Sequence, residues 1–306
     1  MNRDFTPFRF RPIVIIGAPR SGTNMLRDAL TSCDRAATWP CDEINAVWRH
    51  HNARFPSDEL QPAQATRSVT RYVRKAFQRL AHRTGAKWIV EKTCANSLRV
   101  DFVRAIIPEA KFIFLVRDGY DVTASSMKRW TAPFDVRYTL QKARYVPLDD
   151  MATLAVRFVA NRFYRIGRRD GRLGSWGPTF DGMQEMVRER SLAEVCAEQW
   201  SRCVRNSAAA LTAYRPDQVC FVRYETLVGN PQRELHRVAG FAGIEMREDQ
   251  LRRAASAVSP TSVGKGRNEL SADLLSRIEP LIRQTMNSLE SWNLRNTSDT
   301  NRKYAA

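Results

Sequence analysis

The segment RPIVIIGAPRSGTNMLRDAL, residues 11–30, constrains the fold more than any other stretch of the chain. Residues 12–17 form a short β-branched run closed by Gly17-Ala18-Pro19, the pattern of a buried strand. TNMLRDALTS then carries helical periodicity. A strand that feeds a loop and then a helix turns the helix's unpaired N-terminal amides back onto the loop, and that makes an anion site. Gly17 and Gly22 have the spacing of the phosphate-binding pattern G-x-x-x-x-G-K-[ST]. Yet Thr23 stands at the lysine position, Asn24 stands at the hydroxyl position, and a cation, Arg20, lies inside the loop. Nucleotide triphosphatases use that lysine on the outer phosphates and that hydroxyl on Mg²⁺. Without both, metal-assisted ATP chemistry is disfavoured. A ring of backbone amides with Arg20, Ser21, Thr23 and Asn24 suits an anhydride that reacts without metal, such as a phosphosulfate.

Downstream, strand and helix patterns alternate. KWIVEKT, KFIFLVRD and QVCFVRY read as strands. Helices are expected over 66–83, NSLRVDFVRAII, YDVTASSMKRW, 151–169, 191–213 and 271–291, the last interrupted by Pro280. Pro231 follows a turn at Gly229-Asn230 and is placed to start another helix. GRLGSWGPTFDGM and TSVGKGRNEL read as loops, and residues 293–306 as a polar tail. Near-continuous apolar strands alternating with helices predict an α/β, three-layer, P-loop-like fold with a central parallel sheet flanked by helices. In such folds ligands sit beyond the carboxyl ends of the strands. Those ends carry GAPRSG, EKT, VRDG and RYE. The expected organisation is a single domain over 1–306, with 131–190 as an acceptor-side insertion.

Composition narrows the partners. A net charge of +17 predicts an anionic partner: a nucleotide, an acidic glycan, a membrane surface or a nucleic acid. The six cysteines show neither a CxxC pair nor metal-ligand spacing, so no metal site is expected. The N-terminal MNRDFTPFRFRP lacks the apolar stretch of a signal peptide, and no apolar run approaches a membrane span. The expected location is cytoplasmic. No RNP-like aromatic and basic pattern supports nucleic-acid binding.

Four segments, in order, resemble the sulfotransferases that use 3′-phosphoadenosine-5′-phosphosulfate (PAPS). PRSGTNML is similar to that family's 5′-phosphosulfate loop, PRSGTT. EKTCANSLR is similar to its EKTP-x-N segment, and FVRYETLVGNP to its RYEDL-V-x-x-P segment. FIFLVRDGYDVTASS resembles its 3′-phosphate motif, with Ser125 eight residues after Arg117. The resemblance implies a bacterial-type enzyme moving a sulfuryl group from PAPS to a hydroxyl, with no metal required. By it, Arg20, Ser21, Gly22, Thr23 and Asn24 cradle the phosphosulfate, and Arg117, Ser125 and Tyr224 hold the 3′-phosphate. Lys265 and Gly266, in Lys265-Gly266-Arg267, match a late basic segment that closes over the nucleotide. CDEIN stands near the place of a C-G-E-E-T segment in tyrosylprotein sulfotransferases, which makes Glu43 the implied general base, with Asp42 replacing a glycine. Lys92 is the implied electrophile, contacting the bridging oxygen; an ion pair with Glu91 is the plain alternative. His82, His50 and His51 are weaker candidates for the base. Three departures stand out: Asn24 for threonine, Gly119-Tyr120 for Pro-Arg, and Cys94 for proline.

The acceptor is less constrained. Residues 151–169 read as a basic amphipathic helix, which fits either a core helix with a solvated rim or, through 151–172, peripheral contact with the inner membrane face. Trp176 could stack on a sugar or pack in the core. A hydroxylated small molecule, glycan or glycolipid is the expected acceptor. A P-loop kinase-like phosphotransferase and a non-catalytic polyanion-binding or nucleic-acid-binding protein are the competing readings.

Overall fold

A computed structural model describes residues 5–132, 144–151, 153, 155–156 and 175–297. Five strands form one parallel sheet: β1 (Arg11–Ile16), β2 (Ala36–Ala37), β3 (Trp88–Lys92), β4 (Lys111–Val116) and β5 (Val219–Arg223). Their spatial order is β2-β3-β1-β4-β5, with Val14 opposite Glu91 on one side and Phe112 on the other. β1 is therefore central, and the connections leave it towards both edges. That reversal opens a crevice at its carboxyl end.

The β1 side chains alternate between two cores because successive Cβ atoms point to opposite faces. Val14 and Ile16 join one core with Phe77, Phe102, Phe112 and Trp200. Ile13 and Ile15 join the other with Leu26, Leu30, Val222 and Leu235. Helices cover both faces, which is why β3 is buried along its whole length. On the first face lie α3 (Arg67–Thr84), α4 (Val100–Ile106), α5 (Gly119–Trp130), α7 (Leu192–Leu211) and α12 (Ala272–Thr297). On the second lie α1 (Thr23–Thr31), α8 (Tyr224–Gly229), α9 (Pro231–Ala242) and α10 (Glu248–Ser256). The described elements also include the short helices α2 (Asn45–Trp48), α6 (Met183–Glu189) and α11 (Lys265–Glu269).

The four strands expected from sequence are present, and the two-residue β2 adds a fifth too short to carry a pattern. Four expectations need correction. The helix expected over NSLRVDFVRAII splits into a 3₁₀ turn, Cys94–Leu98, followed by α4. Its polar side chains cause the break: Ser97 donates to the Gly17 carbonyl at 3.0 Å and Asn96 to Glu91 at 3.0 Å. α12 runs through Pro280 without interruption, held by Ile278, Ile282, Leu289 and Trp292 in the first core. TSVGKGRNEL contains the single-turn helix α11 where a loop was expected. Finally, α6, α8 and α10 have no counterpart among the helices expected from periodicity. The helix expected over 151–169 lies mostly outside the described residues, as does the polar tail beyond 297.

Candidate active site

The carboxyl ends of β1, β3, β4 and β5 open into a cleft of about 620 Å³. Every residue expected at the site lines it except Ser21, which is buried beneath the loop. The loop needs its glycines. A Cβ on Gly17 would stand 2.6 Å from the Leu115 carbonyl oxygen. Gly22 has φ +89°, and a Cβ there would meet the Tyr224 ring at 2.6 Å. Arg20 also takes a left-handed φ of 69°. The loop is thereby folded flat against β4 and the start of α8.

One end of the cleft gathers cations. Arg117, at the end of β4, lies with its guanidinium 4.5 Å from the centre of the Tyr224 ring. It donates to the Arg20 carbonyl at 3.2 Å, to Asp121 at 3.2 Å and to the Ser262 carbonyl. The Tyr224 hydroxyl bonds Ser262 at 2.8 Å. Ser125 accepts from Arg20 Nε at 3.0 Å rather than from Arg117. Lys265 lines this end, and Lys128 pairs with Glu269 at 2.8 Å across its rim. The Gly266 amide is committed to Asp121 at 2.7 Å, so Gly266 offers the cleft close backbone approach rather than a free amide. Two polar atoms here, Ser21 Oγ and Arg117 Nε, are buried with no hydrogen-bond partner in the chain. Orphaned donors beside a glycine-lined cradle fit a polyanionic nucleotide.

The other end gathers acids around one lysine. Lys92 closes β3 with a side chain only 1% exposed, and donates to Asp42 at 3.0 Å and Glu43 at 3.1 Å. Glu91 is not its partner. That carboxyl faces the opposite side of the strand, where Trp48 and Asn96 donate to it at 3.1 and 3.0 Å and Thr93 adds a short bond. Burial alone would lower Lys92; the carboxylates of Glu43 and Asp42 outweigh it and hold the ammonium above its usual value. Glu91, wholly buried, is pushed up to about 7 despite its donors. Asp42 is anchored from behind by Arg27 at 3.2 Å. Thr93 fixes the backbone of CDEIN by accepting from the Ile44 amide at 3.2 Å.

The departures from the family motifs have physical causes. The Cys94 amide donates to Glu43 at 3.3 Å, a bond that proline cannot supply. Burial first, then Glu43, raises the Cys94 thiol well above its usual value, so it stays protonated. Gly119 lies under Trp200, where a Cβ would stand 2.8 Å from the indole. Asn24 is exposed at the mouth of the cleft.

The histidines do not reach the cleft. His82 is exposed near the end of α3. His50 is buried, bonded through Nδ1 to Asp150 at 2.9 Å, with its ring 3.9 Å from that of His51. Those two rings and Asp149 cluster at metal-binding spacing. The two ring planes are tilted by 33°. Sequence reasoning missed Asp121, Ser262, Lys128 and Glu269. For Asp121 a signal existed, an acid one helical turn after Arg117. Trp176, Gly177 and Pro178 form the opposite wall, pinned by Gln199, which donates to the Trp176 and Pro178 carbonyls at 2.7 and 2.8 Å.

A loop of this kind at the switch point of a parallel sheet, without the triphosphatase lysine, defines a P-loop-like fold. Known proteins name the class further. The model of the sulfotransferase family matches residues 12–170 and 168–249, and the chain belongs to that family. Nodulation protein NoeE of Sinorhizobium fredii (strain NBRC 101917 / NGR234) is 23% identical over 316 residues, covering 92% of this chain. The chain spans 66% of NoeE, just under two thirds. Among solved structures, the sulfotransferase domain from the curacin biosynthetic pathway is similar at TM-score 0.53 and 15% identity, covering 91% of this chain and 98% of that one. Mouse sulfotransferase SULT7A1 complexed with PAP is similar at TM-score 0.51 and 13% identity, covering 94% and 89%. At such identities the likeness is one of fold.

Proposed function

We propose that this sulfotransferase takes its sulfuryl group from PAPS, without a metal, and gives it to a hydroxyl of a saccharide or glycolipid, within one domain. The observation that carries the donor reading is the cation end: Arg117, Arg20, Ser125 and Lys265 around a loop with orphaned buried donors. A 3′-phosphate is what separates PAPS from ordinary adenine nucleotides, and the planar guanidinium of Arg117 suits it. The amides of 20–24 receive the 5′ end. A relative of the same fold, the mouse enzyme, is complexed with PAP.

At the acid end, Glu43 takes the proton of the acceptor hydroxyl as its oxygen bonds to sulfur. Lys92 donates to the bridging oxygen that leaves with the nucleotide. Its ammonium has three protons, two of them engaged by Asp42 and Glu43. The third remains for the leaving group. Asp42 keeps Lys92 paired and protonated after Glu43 has been neutralised.

Trp176 on the facing wall supports a ring-shaped acceptor. Met151 and Val156, 46% and 70% exposed at the start of the 151–172 segment, support peripheral contact with a membrane. Six buried cysteines support a reducing, cytoplasmic setting. Among the described residues no helix is long and apolar enough to cross a membrane.

The test is calorimetric titration with PAP and with AMP, in EDTA, on the wild type and Arg117→Ala. PAP should bind far more tightly than AMP, and Arg117→Ala should remove about a hundredfold of that preference, the worth of charge-assisted hydrogen bonds. Equal binding of PAP and AMP by the wild type would overturn the donor reading. A screen with labelled PAPS over glycans, glycolipids and small alcohols then identifies the acceptor class.

A further inference from the structure

Asp121 is a carboxylate 3% exposed inside a cleft built to hold anions. By charge alone it opposes that purpose. Its hydrogen bonds explain it. Oδ1 accepts from the Gly266 amide at 2.7 Å, and Oδ2 from the Gly264 amide at 2.9 Å and from Arg117 at 3.2 Å. The two amides flank Lys265, whose side chain lines the cleft. Asp121 thus pins the backbone on both sides of one cation and touches a second directly. The docked segment comes so close that only glycine fits at 266: a Cβ there would lie 2.3 Å from the Tyr120 carbonyl carbon and oxygen. Arg267 closes the contact by stacking over the Tyr120 ring at 3.7 Å.

We propose that Asp121 is a positioning residue for the nucleotide. It docks residues 262–266 onto α5 and sets Lys265 and Arg117 at the spacing that reads a 3′-phosphate. The inference rests on the PAPS reading of this end of the cleft. It makes a prediction opposite in sign to simple electrostatics. Removing a negative charge from an anion pocket should tighten PAP binding if charge were all that Asp121 contributed. If Asp121 positions the pocket, its loss weakens PAP binding although the pocket becomes more positive.

Calorimetry with PAP and AMP on Asp121→Asn and Gly266→Ala decides the matter, with thermal melts as the check on folding. Asp121→Asn keeps one acceptor oxygen and loses the charge. It should weaken PAP about tenfold or more, the effect of lost hydrogen bonds to a charged group, and narrow the preference for PAP over AMP. Gly266→Ala leaves Asp121 intact and pushes the segment off Tyr120, so it should narrow the same preference. Unchanged or tighter PAP binding in a folded Asp121→Asn overturns the proposal. So does a lowered melting temperature with the preference intact. Should Asp121→Asn fail to fold, Gly266→Ala decides alone by the same criterion. A wild type that does not prefer PAP to AMP would sink the donor reading instead, which is a separate outcome.

Discussion

The two ends of the cleft use the same ingredients differently. Each sets a buried cation beside an acid: Arg117 with Asp121, and Lys92 with Asp42 and Glu43. At the nucleotide end the acid is sealed, its side chain 1% exposed and its oxygens filled by two backbone amides and the arginine. At the acceptor end the lysine is sealed, while Asp42 and Glu43 keep 24% and 19% of their side-chain surface. The Asp121 oxygens are held in place by three fixed donors. Glu43 and Asp42 stay partly open to the cleft beside the Lys92 ammonium. On the proposed roles, one end holds charge still and the other moves it.

The largest test of that contrast is at the acceptor end. Glu43→Gln and Lys92→Met should each lower turnover by about 10²-fold to 10⁴-fold, the usual worth of a positioned acid–base group, measured with the acceptor that the labelled-PAPS screen returns. PAP affinity should hold within a few-fold in both. A large loss of PAP binding in Glu43→Gln would merge the two ends into one site and break the comparison.

Glu91 supplies a second test, on stability. Its carboxyl is pushed up to about 7 in the fold, so the folded state favours the protonated acid more than the unfolded chain does. That stabilisation is complete below pH 4.5, the unfolded value, and is lost as the pH rises through about 7. Denaturant melts from pH 4.5 to 8 should show a decline of roughly 3 kcal/mol from this group, since each tenfold gain in proton affinity on folding is worth about 1.4 kcal/mol. Glu91→Gln should flatten that decline. A decline of equal size in the variant would assign the pH dependence elsewhere.

The smallest effect sharpens the base itself. Cys94 stands first in its 3₁₀ turn, a position that accepts proline. Cys94→Pro should keep the fold, remove one amide from Glu43 and raise the pKa of that carboxylate. The acid limb of the pH–rate profile should move to higher pH, with turnover changed a few-fold. An unmoved limb would mean that the bond does not tune Glu43.

The motifs were legible because each is local. GAPRSG, EKT, VRDG and RYE announce their position by ending apolar runs, and a parallel sheet must bring such ends together. Glu43 and Lys92 could be nominated from residue type and place. Their partners could not. Lys92 and Glu91 are adjacent in sequence, yet alternation along a strand sends them to opposite faces, so the lysine meets acids some fifty residues away. Asp121 was visible as an acid beside an arginine, but nothing local says that its oxygens belong to amides of a glycine pair in another segment. Gly119 reads as a departure from a motif until Trp200 occupies the space above it.

By itself, then, the sequence determined the strand–loop–helix that binds an anion, the parallel sheet around it and the sulfuryl-transfer family, because periodicity and motif spacing are short-range. Only the tertiary structure decided which acids neutralise Lys92 and which amides hold Asp121. Hydrogen-bond partners separated by tens to more than a hundred residues, such as Lys92 with Asp42 and Glu43 or Asp121 with the Gly266 amide, are chosen by packing of the sheet and its covering helices, and no local pattern encodes that choice.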